Sequence, residues 1–278
     1  MSYKTILVHC DASRSLGSRL AVAAEVAQRF DARLVGLHAR EPFEVMSYVD
    51  SGMAFGPLIK AYEAGRDAAE KTARVAYEKA IKGRSFASEW RVTEAFSDDA
   101  LAVNARYADL LVVGQADPDD AAGGRDDLPE AMAFATGRPV LVVPKIGALA
   151  PVGKTVMMCW NASRESARAA ADALPFLRAS EKVIVLVVDP EASADGHGQE
   201  PGADVALWLA RHGVNVIVQR DMAADAKVGE TILSRAADCD ADLIVMGIYG
   251  HSRLREFILG GASRTLLESM TVPVLMSH

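Results

Sequence analysis

The chain alternates short apolar runs with longer amphipathic segments, and this alternation predicts an α/β fold. In the first half, short runs rich in Val, Ile and Leu indicate strands at residues 4–9, 33–38, 88–93, 108–114 and 138–144. Between them, apolar residues recur at helical spacing at residues 14–30, 57–82, 97–107 and 128–136. Strands that alternate with helices predict a parallel sheet with right-handed crossover connections.

The second half of the chain repeats the order of the first. Residues 154–163 match residues 4–13, and 241–247 match 108–114. A duplication of this length explains the pattern better than one large domain. We therefore predict two tandem doubly wound parallel-sheet domains, each with about five strands, at residues 1–147 and 152–278.

Composition and charge exclude several classes of protein. Of the 278 residues, 50% are hydrophobic and 24% are charged, which is typical of a folded globular chain. The net charge of −7 disfavours nucleic acid and anionic membranes as partners. We find neither a signal peptide nor an apolar run long enough to span a membrane. Three cysteines without a CxxC pair fit a cytoplasmic location, and no spacing of metal ligands is evident.

The strongest chemical signal follows the fourth strand of the second half. There the glycines have the spacing Gly-x-x-Gly-x9-Gly, at Gly247, Gly250 and Gly260, before an amphipathic segment at residues 263–270. Glycine lets backbone N–H groups approach phosphate oxygens, and a helix start adds a positive end. The pattern predicts a phosphate-binding loop. We expect Gly247→Val or Gly260→Val to abolish ATP binding and to leave the fold intact.

This glycine spacing, set in a duplicated chain, resembles the universal stress protein family in its tandem two-domain form. The resemblance implies a Rossmann-like, adenine-nucleotide-binding fold and ATP as the ligand, with or without Mg²⁺. It implies a site built from strand ends, the glycine loop and the last helix start, at Asn161, Ala162, Val187, Val188, Gly247, Gly250, His251, Arg253, Gly260, Gly261, Ala262 and Ser263. In the family, Asp stands at the position of Asn161, and Ser or Thr stands at that of Gly261.

The first half lacks this loop. After its fourth strand, residues 114–127 lack the second spaced glycine and contain five aspartates against one arginine. Two like charges a few ångströms apart repel by about 1 kcal/mol even near water, so we expect this loop to repel a polyphosphate. We predict that only the second half binds nucleotide. Two roles stay open for each of two residues: Asn161 caps a helix or meets a base, and Trp160 stacks on a base or fills the core.

No motif of a dedicated enzyme is visible, so we predict no catalytic residues. The leading hypothesis is a cytoplasmic stress-response protein that binds ATP in its second domain and acts as a nucleotide-dependent sensor or adaptor toward an unknown protein partner. Slow ATPase or phosphotransferase activity stays open, as does an interaction module without nucleotide. The resemblance also implies that the two halves pair internally as a pseudo-dimer through their final strands. It leaves a homodimer open.

Overall fold

The computed structural model describes residues 2–43, 56–120, 125–147, 151–190, 200–223, 226–248, 250–251 and 258–278. The first half contains β1 (Thr5–His9), α1 (Leu16–Phe30), β2 (Arg33–Ala39), α2 (Gly56–Ile81), β3 (Ser88–Thr93), α3 (Ser97–Ala105), β4 (Leu110–Gly114), α4 (Leu128–Ala135) and β5 (Val140–Val143). The predicted strands and helices of this half are therefore confirmed, with ends that shift by a few residues.

The second half repeats this order with small additions. It contains β6 (Thr155–Cys159), α5 (Arg164–Asp172), α6 (Leu174–Ala179), β7 (Lys182–Val188), α7 (Ala203–Arg211), β8 (Val216–Asp221), α8 (Val228–Asp238), β9 (Leu243–Gly247), β10 (Gly250–His251), β11 (Ile258–Leu259), α9 (Gly261–Ser269) and β12 (Val274–Ser277). Strands β10 and β11 form a short antiparallel pair of their own. Helix α9 begins earlier than the sequence predicted, at Gly261.

Ten strands form one continuous sheet in the order β3-β2-β1-β4-β5-β12-β9-β6-β7-β8. Within each half every pairing is parallel, which confirms the doubly wound α/β prediction. The halves meet through their final strands, because β5 and β12 pair antiparallel with Leu141 opposite Leu275. The pairing of the two halves that the resemblance implied is therefore present in this sheet.

Helices cover both faces of the sheet, and each face has a core that runs through both halves. Helices α1, α2, α5 and α7 pack on one face, and α3, α4, α8 and α9 pack on the other. Parallel strands that are buried on both sides need nearly continuous runs of Val, Ile and Leu, as the sequence has. Among the described residues, no helix combines the length and the apolar character needed to cross a bilayer.

Aromatic and charged contacts hold the two halves together. The rings of Tyr3 and Phe30 lie 5.2 Å apart, and Phe30 lies 5.2 Å from Phe176 of the second half. The Arg29 guanidinium donates to the carbonyl oxygens of Val152, Gly153 and Ala179. These bonds satisfy backbone oxygens near the junction between the halves, so the junction is a packed interface with its own hydrogen bonds.

Candidate functional site

A cavity lies at the carboxyl ends of the central strands of the second half. Strand β6 is where the strand order changes direction, and ligands of doubly wound sheets bind at such a point. The cavity is bounded by three strand ends and by α5, α8 and α9. Its walls are Cys159, Trp160, Asn161, Ser166, Leu186, Val188, Val228, Ile232, Met246, Gly247 and Ala262.

The turn after β6 places Asn161 at the mouth of this cavity. Its Oδ1 accepts a hydrogen bond from the Ser163 backbone N–H at 3.2 Å, and the residue is exposed. Ala162 follows with a positive φ of 58°, and Ser163 caps α5 by accepting from the Ser166 N–H at 3.1 Å. Ser163, rather than Asn161, is therefore the helix cap. No described residue accepts from the Asn161 Nδ2, so those two donors face outward.

Gly247, at the end of β9, is required by packing. A Cβ at this position would lie 2.5 Å from the backbone N of Ser166 and still closer to the carbonyl carbon of Glu165. These atoms belong to the first turn of α5, so a side chain could be accommodated only by moving that helix. The glycine lets strand and helix approach each other, which differs from the phosphate contact that the sequence predicted for it.

The start of α9 supplies the donors of the site. Gly260 is the residue before the helix and gives no side-chain cap, and the Arg264 N–H bonds to the Gly260 oxygen at 3.1 Å. The N–H groups of Gly261, Ala262 and Ser263 precede this bond and have no partner within the helix. A Cβ at Gly261 would meet no atom within 4 Å. The helix thus presents N–H groups that have no partner within it, beside the cavity wall at Ala262.

The structure brings only part of the predicted set together. Asn161, Val188, Gly247 and Ala262 line the cavity, whereas Val187 is fully buried in the core on the other face. Ser263 is 3% exposed and is not among the residues of the wall. For Gly250 and His251, only the backbone in β10 is described. Arg253 lies outside the described residues, and its predicted role stays a prediction.

Several wall residues were missed by the sequence prediction. Val228 and Ile232 belong to α8, which reaches the cavity because it packs tightly on α9: a Cβ at Gly229 would lie 2.6 Å from the Thr265 Cβ. Nothing in the α8 sequence signals this, since its apolar spacing is that of any core-facing helix. Burial raises the pKa of the Cys159 thiol, also in the wall, to about 12, which keeps it neutral.

The cavity is small. Its volume is about 90 Å³, whereas small-molecule sites usually span roughly 300–1,000 Å³. The walls therefore enclose a part of a nucleotide at most, and the remainder would lie over the exposed turn at Asn161 and the start of α9. Among the described residues, no group of three or more His, Cys, Asp or Glu side chains is arranged to hold a metal ion.

The first half has a larger cleft at the corresponding place, with a volume of about 540 Å³. Its walls come from the ends of β1 and β2, from α2 and from the start of α3, at His9, Cys10, Asp11, Ala12, His38, Ala39, Arg40, Glu41, Ala61, Tyr62, Gly65, Arg66, Ala69 and Ser97. Volume alone thus favours the cleft of the first half as the ligand site. The charged groups of this cleft, however, are already paired, mostly with residues outside its wall: Asp11 with Arg19, Arg40 with Asp67 and Glu70, and Arg66 with Glu94.

Asp11, at the end of β1, is held by a buried arginine. The Arg19 guanidinium donates to both carboxylate oxygens of Asp11 and to the Ser13 hydroxyl at 2.9 Å, and only 2% of it is exposed. Burial alone would raise the pKa of Asp11, but the guanidinium lowers it to about 2. Arg19 also fills the space beside Gly114, where a Cβ would lie 3.1 Å from its Nη1. At the matching position the second half has Ala169. Comparison of the two repeats therefore indicates that this arginine is particular to the first half.

The acidic loop of the first half is bound to its own chain. Asp117 pairs with Lys145 at 2.8 Å, and Asp127 pairs with Arg125 at 2.7 Å. A third carboxylate, that of Asp120, accepts from the Arg14 N–H at 2.7 Å just before α1. Within the described residues 114–120 and 125–127, these aspartates fix the two ends of the loop and the start of α1. These contacts give the aspartates a structural use, and the prediction that this half does not bind nucleotide stays a prediction.

The buried His9 gives a pH-dependent stability. Burial lowers its pKa from 6.5 to about 4, with help from Arg19 and His38 and against the pull of Asp11. Since the unfolded chain takes up this proton near pH 6.5 and the folded chain only near pH 4, stability falls as the pH drops through that window. We expect a loss of about 2 kcal/mol between pH 7 and pH 5 from this residue.

Urea unfolding at pH 7, 6 and 5 measures this loss. In His9→Asn the difference between pH 7 and pH 5 should shrink by about the same 2 kcal/mol, whatever the substitution costs at pH 7. An unchanged pH dependence in that variant would show that other groups cause the acid sensitivity.

Comparisons with known proteins identify the family and the solved structures to which this chain is similar. The sequence model described as "Universal stress protein family" matches residues 2–124 and 153–278. A universal stress protein from Archaeoglobus fulgidus DSM 4304 superposes with a TM-score of 0.70 at 13% identity, over 98% of this chain and 97% of that one. A Pseudomonas aeruginosa UCBPP-PA14 protein assigned to the same group has a TM-score of 0.59 at 15% identity, over 99% and 93%. No curated protein sequence matches the chain.

A third solved structure is a universal stress protein in complex with cAMP. It is 24% identical to this chain, and the match covers 52% of this chain and 100% of that one, with a TM-score of 0.36. The two full-length matches are less than 25% identical to this chain, so they show that it shares their fold.

Proposed function

Because the chain belongs to the universal stress protein family, we propose that it is a cytoplasmic stress-response protein whose second half binds ATP. The bound nucleotide acts as the signal of a sensor or adaptor, which a protein partner reads. The proposal rests on one observation: the uncapped start of α9, the end of β9 and the turn at Asn161 border the same cavity where the strand order changes.

In this proposal each wall of the cavity has a role. The triphosphate lies at the start of α9, where the N–H groups of Gly261, Ala262 and Ser263 offer donors and the helix dipole favours negative charge. The outward Nδ2 of Asn161 is placed to donate to a base or ribose at the mouth. In this proposal Mg²⁺ binds to the phosphates themselves, since the described residues offer it no carboxylate cluster.

Gly261→Val tests the site without disturbing its packing. A Cβ at Gly261 meets no atom of the protein within 4 Å, and at the first residue of α9 the methyl groups of Val cover N–H groups that a phosphate would reach, without offering the hydroxyl that Ser or Thr supplies there in the family. We expect ATP affinity to fall by about tenfold or more, because at least one charge-assisted hydrogen bond is lost. Calorimetric titration with ATP, with and without Mg²⁺, measures the change.

Gly17→Val is the matched control. Gly17 also lies in the first turn of a helix, α1, and a Cβ there likewise meets nothing within 4 Å. This variant should bind ATP as the wild type does. Equal ATP affinity in Gly261→Val and wild type would refute the site.

Simple measurements distinguish the proposed function from two alternatives. The small volume of the cavity favours an interaction module without nucleotide, which would purify with no adenine nucleotide detectable by mass spectrometry and would not bind ATP on addition. A slow ATPase or phosphotransferase would release phosphate at steady state, and Gly261→Val would abolish that release. We expect bound nucleotide with little turnover, since no described wall residue is placed as a general base.

A further inference from the structure

A second cleft of the second half lies between α5 and α7, on the face of the sheet opposite to α8 and α9. Its volume is about 380 Å³, within the usual range for small-molecule sites of roughly 300–1,000 Å³. Its walls are predominantly apolar, at Trp160, Ala167, Ala170, Asp204, Val205 and Trp208. Two of the three tryptophans of the chain are therefore gathered in one cleft.

The first half is closed at the matching place. There α1 and α2 are in contact, and α2 extends over Gly56–Ile81. Its Tyr77 donates from the hydroxyl to the Leu34 oxygen at 2.8 Å and packs on Trp90, with ring centres 5.4 Å apart. Helix α7 extends only over Ala203–Arg211. The space that Tyr77 fills in the first half is thus open between α5 and α7 in the second half.

The chemistry of the walls selects a class of ligand. Trp208 is half-buried, and its ring is held edge to face by His212 with centres 4.5 Å apart. Asp204 is exposed at the rim, and no described residue pairs with its carboxylate. Indole faces attract cations, and a carboxylate at the same cleft adds charge complementarity. We infer that the cleft binds an organic cation that presents a flat ring or methyl groups, such as an aromatic or quaternary amine.

This site is distinct from the proposed ATP site. Trp160 borders both, but Asp204 and Trp208 border only the α5–α7 cleft, and Gly261 belongs only to the start of α9. An unpaired carboxylate repels phosphate, so one ligand class does not fit both places. Variants at Asp204, Trp208 and Gly261 therefore test the two sites separately.

Benzyltrimethylammonium is the probe, and benzoate is its anionic counterpart with the same ring. We expect the cation to bind saturably in a calorimetric titration and to change the tryptophan emission, while benzoate does neither. Trp208→Leu keeps an apolar wall and removes the indole, and Asp204→Asn removes the charge at the same size. Each should weaken binding of the cation by about two- to fivefold, the scale of one exposed cation–π or charge contact.

Glu230→Gln is the matched control for charge, because Glu230 is an exposed acid in the first turn of α8, as Asp204 is in that of α7. It should leave binding of the cation unchanged, and so should Gly261→Val, even where ATP binding is lost. Should Trp208→Leu fail to fold, Asp204→Asn carries the test. No saturable binding, equal binding of benzoate, or equal weakening by Glu230→Gln would each overturn the proposal.

Discussion

Replacing Arg19 with Ala is expected to lower the free energy of unfolding by about 3–5 kcal/mol, the usual cost of leaving one member of a buried ion pair alone. The guanidinium is 2% exposed and neutralises Asp11, whose pKa it holds at about 2. Without it, a carboxylate that is itself largely buried must stay charged without a partner or take up a proton. Urea unfolding at pH 7 measures the loss.

Two further variants identify the cause of this loss of stability. Arg14→Ala removes an arginine that is 75% exposed, and its long contact of 4.0 Å with Asp120 is worth no more than about 1 kcal/mol. The double variant Arg19→Met with Asp11→Asn removes both charges, and it should recover a large part of the loss because no ion is left unpaired. A loss below about 1 kcal/mol in Arg19→Ala would contradict the importance of this pair.

Replacing Gly247 with Val is expected to destabilise the protein by more than about 3 kcal/mol, at the upper end of the cost of overpacking. The nearest atoms are backbone atoms of Glu165 and Ser166, which cannot rotate away as a side chain can. The expectation from sequence, that this variant loses ATP and keeps its fold, is therefore wrong in its second part. Thermal unfolding followed by circular dichroism checks it.

Gly261→Val is the comparison for this variant as well. It places the same side chain at another glycine of the site, where nothing lies within 4 Å, so its melting temperature should stay close to that of the wild type. A stable, cooperatively folding Gly247→Val would show that α5 moves easily away from β9. The loss of ATP binding in Gly247→Val is uninformative by itself, because a damaged fold explains it.

The sequence predicts the fold well because the relevant signal is local and repeated. Apolar runs such as Leu110–Gly114 and Leu243–Gly247 are short and bounded by turn residues, so each indicates a strand without knowledge of its neighbours. The duplication then supplies the order of elements twice. The position of the site follows from the same information, since strand ends define where a doubly wound sheet binds ligands.

The details of the site depend on distances that no sequence pattern contains. The spacing of Gly247 is compatible with phosphate binding and with close packing, and only the position of α5 shows that packing requires the glycine. In the same way, comparison of the repeats marks Arg19 as a difference from Ala169, but only the fold shows that it binds Asp11. The relative volumes of the two clefts cannot be read from the sequence either, and the cleft of the first half is the larger of the two.

The antiparallel pairing of β5 with β12 has a consequence for communication across the molecule. Because every other pairing within the ten-stranded sheet is parallel, the strands of the two copies run in opposite directions. The carboxyl ends of the strands in the two halves therefore lie at opposite edges of the sheet, so ligands bound at the two places can neither contact each other nor compete. Communication between these edges can pass through the β5–β12 pairing, which includes Leu141 and Leu275, and through the contacts of Arg29 and Phe30 with the second half.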